Sequence, residues 1–263
     1  MPRFAANLSL MFTEVPFLER FDAAARSGFQ AVEFQFPYDF EAQEIATVAQ
    51  RAGVQVVLHN VPAGSWAAGD RGIACDASRT DEFRAGVELA LNYANVLGVR
   101  RLNVLAGLQP AHTSREAAWE TLVDNVRWAA PRMAQAGARL LVEPINDKDV
   151  PGFLLNTAAD GLKLIDAVGS DHVWLQYDAY HMQRMQGELT QTVRDHLSKI
   201  GHIQIADNPG RHEPGTGEIN YLWWLKALDA MGYRGWVGCE YIPLKTTQEG
   251  LGWMAPFAAD VPP

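Results

Sequence analysis

Short apolar runs alternate with longer amphipathic ones along almost the whole chain. "RFAANL" precedes "FLERFDAAARSG", "AVEFQF" precedes "FEAQEIATVAQRAG", and "VQVVLHN" precedes a loop and "DEFRAGVELALNYANVLG". "RRLNVLAG" precedes "SREAAWETLVDNVRWAAPRMAQAG", and "ARLLVEP" precedes "NTAADGLKLIDAVG". "HVWLQYD" leads to "QGELTQTVRDHLSKIG", "HIQIAD" to "YLWWLKALDAMGY", and "GWVGCEY" comes last, before a C-terminal segment. Short runs rich in β-branched residues read as buried strands, and apolar residues recurring every three to four positions read as helices. Gly28, Gly53, Gly98, Gly137 and Gly169 fall where helices should stop, as C-terminal caps.

The pattern predicts eight β-then-α units, and such alternation argues for a parallel sheet. Eight units predict a closed (β/α)₈ barrel in one domain, residues 1–263. An open doubly wound sheet is the alternative, but no GxGxxG follows the first strand to support a dinucleotide fold. No linker or low-complexity segment interrupts the chain.

Composition narrows the class. Hydrophobic residues make up 48% and charged residues 20% of 263, ordinary for a globular protein with a sizeable core. Two separated cysteines, Cys75 and Cys239, make neither a disulfide framework nor a zinc site and point to a reducing compartment. The formal charge of −9 disfavours nucleic-acid binding, which rests on Lys and Arg neutralising phosphates. It leaves room for a small anionic substrate held by one local cation. The N-terminus lacks the apolar core of a signal peptide, and no apolar run has the ~20 residues of a membrane helix. A cytoplasmic protein is expected.

In such a barrel the C-terminal strand ends meet at one mouth. Four successive strand-like runs end in oxygen-bearing side chains: Glu143 in "LLVEP", Asp178 in "LQYD", Gln204 in "IQIAD" and Glu240 in "GCEY". Each alone can be a helix cap or turn former. Three carboxylates at equivalent places would repel one another, and a divalent cation resolves the conflict. An all-oxygen set favours Mg²⁺ or Mn²⁺ over zinc. Strand alternation puts Cys239 on the helix side if Glu240 faces inward, and puts Gln176 and His202 on the inward face with Asp178 and Gln204, as supports for the ligands. His181, three residues after Asp178, and His59, at the end of strand 3, are candidates to touch substrate at the mouth. "GSWAAGDRGIA", residues 64–74, reads as a cover over the mouth or as a mobile surface loop. "YLWWLKAL" reads as barrel packing or as the interface of a homo-oligomer.

These residues resemble the xylose-isomerase-like barrel superfamily, and within it the hydroxypyruvate isomerases. The similarity rests on "FAANLSLMF", "VEFQFPYDF", "WAAGDRGIA", "EPIN", "QYDAYHMQRM", "HIQIADNPGRHEPGTGEINY" and "GCEY". It implies one divalent ion held by Glu143, Asp178, Gln204 and Glu240, with Glu143 and Glu240 as acid–base residues. The expected reaction interconverts hydroxypyruvate and tartronate semialdehyde through an enediolate. Related sugar epimerases usually carry a His where this chain has Gln204, whereas isomerases of four-carbon 2-oxo acids share the pattern. A barrel endonuclease and a non-catalytic sugar-acid-binding barrel are the remaining alternatives. The small hydroxy- or oxo-acid substrate is anionic, and Arg211, seven residues after Gln204, can offer it a bidentate fork, supplemented by His59 or His181. Arg211 lies in "NPGRHEPGTGEINY", a stretch without the Lys-Ser/Thr ending of a phosphate loop. His212, Glu213 and Glu218 are expected to hold that stretch in shape.

Overall fold

A computed structural model describes residues 1–257. Eight strands close into a barrel in chain order: β1 (Arg3–Asn7), β2 (Ala31–Phe34), β3 (Gln55–Asn60), β4 (Arg101–Val104), β5 (Arg139–Val142), β6 (Val173–Asp178), β7 (Ile200–Ile205) and β8 (Trp236–Cys239). Every neighbouring pair is parallel, including β8 with β1. The helices are α1 (Arg20–Arg26), α2 (Ala42–Ala52), α3 (Thr80–Leu97), α4 (Arg115–Gln135), α5 (Ala158–Val168), α6 (Ala179–Met185), α7 (Leu189–His196) and α8 (Tyr221–Ala230). The (β/α)₈ barrel read from the periodicity is therefore the fold, and the open sheet is excluded. Two units depart from the pattern, that of β6, which is followed by both α6 and α7, and that of β8. The place after β8 holds a 3₁₀ stretch, Glu249–Phe257, because Gly250, Gly252 and Pro256 disfavour a regular helix there. No helix among the described residues is long and apolar enough to cross a membrane.

The helices form for the reasons their sequences suggest. In α2, Ile45, Val48 and Ala49 are the buried residues, spaced to make one stripe against the barrel. Thr157 and Asp160 form a reciprocal capping box at the start of α5, and Gly169 ends it at φ 69°, a conformation that suits a residue without Cβ. In α8, Tyr221, Trp224, Leu225 and Leu228 pack inward while Leu222 and Trp223 stay exposed, so "YLWWLKAL" is only half used for packing.

Two apolar layers result. Alternate strand residues such as Phe4, Val32, Leu102, Leu140, Val237 and Cys239 join the layer between barrel and helices. Inside the barrel, Ala5, Ala31, Val57, Leu58, Leu141 and Trp236 make a separate plug, with Trp174 packed against it. Arg3 and Arg139 stack over Trp236 and Trp174 at 4.6 and 4.1 Å and close the floor. The upper half of the interior is polar, and there the site lies.

One irregularity decides which side chains reach it. Between β2 and β3 the register runs Val32 to Val56 but Glu33 to Leu58, so Val57 is an extra residue on β3. A one-residue bulge reverses the facing of every residue after it. Asn60, paired with Asn103, turns to the interior, and His59, paired with Phe34, turns to the helices.

Candidate active site

Glu143 and Glu240 each follow the last residue of a strand, β5 and β8, and Asp178 ends β6. One side-chain atom from each of Glu143, Asp178, Glu240 and also His181 lies within 4.8 Å of the others, and all four residues are buried. Asp178 fulfils two roles at once. Its Oδ1 caps α6 by accepting from the Tyr180 backbone N–H at 2.8 Å, while its Oδ2 is buried with no hydrogen-bond partner among the described residues. Burial, followed by repulsion from Glu240 and Asp178, holds the Glu143 carboxyl well above the usual range. Burial pushes Asp178 up to about 7, with Arg211 opposing and Glu240 adding to the shift. Burial also raises Glu240, against the pull of Arg211.

Gln204 lies beside this group and its orientation is fixed from below. Its Nε2 donates to Glu33 Oε1 at 2.8 Å. Glu33 Oε1 accepts that hydrogen, so the amide nitrogen faces Glu33 and the amide oxygen faces the other way. That oxygen accepts from Gln176 Nε2 at 2.7 Å, and the same nitrogen donates to Glu143 Oε2 at 3.0 Å. Gln176 thus ties Gln204 to the carboxylate group, and a second lone pair on Gln204 Oε1 is free for a cation. His202 Nε2 sits 2.6 Å from Glu33 Oε2. Both inward residues expected to support the ligands are in the network.

Glu33 is the residue that sequence reasoning missed. It is fully buried and also accepts from Asn7 Nδ2 at 3.0 Å. Its signal was visible, a lone acid inside the apolar run "AVEF". Its space is kept by Gly238 on β8, where any Cβ would collide with both Glu33 carboxylate oxygens. Asn7 and Gln35 were missed as well; each donates to Glu240 Oε1 at 3.2 Å. Asn103, which donates to Glu143 Oε2 at 2.8 Å, completes the set.

Of the three residues expected to touch substrate, the structure brings two to the cluster. His181 Nε2 is 3.5 Å from Asp178 Oδ2 and 3.9 Å from Glu143 Oε1. Burial, then Arg211 and Arg184, hold its ring well below the usual histidine range, so these are contacts of a neutral imidazole. Arg211 Nη2 is 2.7 Å from Glu240 Oε2 and 3.9 Å from Asp178 Oδ2. The Arg211 Nε is buried without a hydrogen-bond partner among the described residues. His59 is elsewhere. Its ring stacks on Phe34 and meets the edge of Tyr38, and burial lowers it to about 4. The β3 bulge is the physical reason it misses the mouth.

The segment from 208 to 221 is held as a rigid loop by a residue just before it. Asp207 accepts from four backbone N–H groups, those of Asn208, Gly215, Gly217 and Ile219, at 2.8–3.1 Å. Gly217 has no room for a side chain, since a Cβ would strike Asn208 O. His212 pairs with the Ile242 carbonyl, Glu213 accepts from the Leu244 N–H, and Glu218 accepts from Asn208. Arg211 sits in this frame at φ 56°. Asp207→Ala should remove four hydrogen bonds to half-buried or exposed backbone donors, at about 0.5–1.5 kcal/mol each. It is expected to lower the thermal midpoint and raise KM together, checked by melting and steady-state kinetics.

A cavity of about 480 Å³ is lined by Ser9, Gln35, Tyr38 and Trp66 among others, and none of the four cluster residues lines it. Gln35 links its wall to Glu240. The 64–74 loop stands at its rim. Trp66 lies against Phe36, and Asp70 fastens the loop by accepting from the Ser65 N–H and pairing with Arg79 at 2.7 and 2.8 Å.

The chain matches the xylose isomerase-like TIM barrel family over residues 21–257. It is 52% identical to the hydroxypyruvate isomerase of Escherichia coli (strain K12), over 98% of this chain and all of that protein. The chain belongs to the hydroxypyruvate isomerase family. Members of this family are isomerases, and so is this chain. It is also 45% identical to a 2-oxo-tetronate isomerase of Cupriavidus necator, over 98% of this chain and 99% of that one. Among solved structures, an AP endonuclease, family 2, from Brucella melitensis superposes with a TM-score of 0.95 at 46% identity, covering 98% of this chain and 99% of that one.

Proposed function

We propose that this isomerase interconverts hydroxypyruvate and tartronate semialdehyde by moving a proton between neighbouring carbons. The observation that carries the reading is the buried set Glu143, Asp178 and Glu240 beside an Arg211 whose Nε has no hydrogen-bond partner among the described residues. Three carboxylates with raised proton affinity call for a cation, and the unpaired Asp178 Oδ2 and outward-facing Gln204 Oε1 fit one. Glu143, Asp178, Gln204 and Glu240 would hold it, and hard oxygen donors favour Mg²⁺ or Mn²⁺. When bound, it supplies Lewis-acid stabilisation of negative charge on substrate oxygens.

The chain's own groups do the rest. One of Glu143 and Glu240 takes a proton from the hydroxymethyl carbon, giving an enediolate, and the other returns a proton to the adjacent carbon. The proton on the terminal hydroxyl passes to the former carbonyl oxygen, so the product is an isomer. Burial raises the proton affinity of both carboxyl groups, which favours taking a proton from carbon. Arg211 uses Nη2 on Glu240 and keeps Nε for the substrate carboxylate. His181 faces the same space.

The four-carbon 2-oxo-tetronate is the second reading, favoured by the Cupriavidus relative. An endonuclease role gains no support from the chain, whose charge of −9 opposes a phosphate backbone. We place the protein in the cytoplasm as a single barrel domain. The test is kcat/KM on both acids side by side, expected higher for hydroxypyruvate. Arg211→Lys keeps the charge but loses the planar fork, and should raise KM about tenfold for both. An unchanged KM would remove Arg211 from carboxylate binding.

A further inference from the structure

His181 belongs to the cluster that could hold a cation, yet its surroundings decide which of its two nitrogens carries hydrogen. The decision is made by Asn146, in the loop after β5. Asn146 Oδ1 accepts two backbone N–H groups, from Lys148 at 3.1 Å and Asp149 at 2.9 Å. Asn146 Nδ2 donates to Asp149 Oδ2 at 3.0 Å and faces His181 Nδ1 at 2.7 Å. Turning the amide over would set its oxygen against a carboxylate and its NH₂ against two N–H donors. The amide orientation is thus fixed by three groups other than the histidine.

Because Asn146 Nδ2 is a donor, His181 Nδ1 must accept. A neutral imidazole with its lone pair on Nδ1 carries its hydrogen on Nε2. That Nε2 is the atom 3.5 Å from Asp178 Oδ2 and 3.9 Å from Glu143 Oε1. A nitrogen bearing hydrogen cannot bind a cation. We infer that Asn146 is a positioning residue that locks His181 as an Nε2–H donor, excluding it from the cation's ligands and aiming it at a substrate oxygen. The donor then strengthens its hydrogen bond as that oxygen gains charge on the way to the enediolate. Asp149 supports the lock from behind, since its Oδ2 also accepts from Tyr180 Oη at 2.7 Å.

The tautomer stands on hydrogen-bond direction alone; its catalytic use rests on the isomerase reading above. The experiment is long-range ¹H–¹⁵N correlation on cation-free protein labelled at histidine, with His181→Gln assigning the signal. Wild type should show a protonated-type shift at Nε2 and an unprotonated-type shift at Nδ1. The reverse pattern would overturn the proposal without any variant having to fold. Asn146→Asp replaces the donor by an acceptor and should move the hydrogen to Nδ1. In that variant kcat should fall about 100-fold, the upper end for a residue that orients a site group, with kcat/KM falling equally. Asn146→Ala, which imposes no direction, should show mixed tautomers and an intermediate kcat. A wild-type tautomer persisting in Asn146→Asp would also overturn the lock. If the tautomers behave as stated but neither acid is turned over by wild type, the lock holds and the substrate reading fails.

Discussion

Glu240→Gln is expected to lower kcat by about a thousandfold, within the range of general acid–base catalysis, while the barrel stays folded. The substitution is nearly isosteric, and an amide oxygen in place of Oε1 can still accept from Asn7 Nδ2 and Gln35 Nε2. What disappears is the titratable oxygen and the charge 2.7 Å from Arg211. The loss should therefore appear in kcat and kcat/KM alike, while the amide NH₂ turned toward the Arg211 donor lowers the thermal midpoint without unfolding the barrel. Near-wild-type turnover would remove Glu240 from the proton path. Glu143→Gln should behave similarly, since Glu143 is held by Asn103 and Gln176 as Glu240 is held by Asn7 and Gln35.

Removal of divalent cations should stop turnover, and adding back Mg²⁺ or Mn²⁺ should restore it. Full activity in chelator would contradict the proposed ligand role of the carboxylates. The same carboxylates predict how stability responds to pH. Asp178 has an ordinary value of 3.8 and a folded value of about 7, and Glu143 and Glu240 shift in the same direction. Between those values the folded state binds more protons than the unfolded one, so the stability of stripped protein is lost as pH rises from about 4 towards 7. A cation binds the deprotonated carboxylates and offsets that loss. The difference in thermal midpoint between loaded and stripped protein should widen across this window. A constant difference would contradict the linkage.

The barrel was legible because its signal is periodic and repeated. Apolar runs, amphipathic runs and glycine stops recur in order; the structure differs after β6, where the extra helix α6 precedes α7, and after β8, where Gly250, Gly252 and Pro256 break the helix. That Glu143, Asp178 and Glu240 come together, with Gln204 tied to them through Gln176, was legible because strand ends converge in such a fold. The supporting groups were not. Asn7, Glu33 and Gln35 lie on or just past β1 and β2, which carry no candidate ligand, so their relation to Glu240 and Gln204 exists only after the barrel closes. His59 was misplaced because a bulge leaves no mark in residue spacing, yet reverses the facing of all that follows. Asp207 looked like one more loop acid, and its four backbone contacts became visible only with the path of the loop.

In the proposed reaction Glu143 and Glu240 move a proton between adjacent carbons of a small hydroxy-oxo acid. This is tested most directly by following hydroxypyruvate in deuterated water with cation-loaded protein by proton NMR. Tartronate semialdehyde is expected as product, with deuterium at the carbon that receives the returned proton and both absent in Glu240→Gln. Recovery of unlabelled hydroxypyruvate alone after incubation with wild type, with 2-oxo-tetronate equally inert, would contradict it.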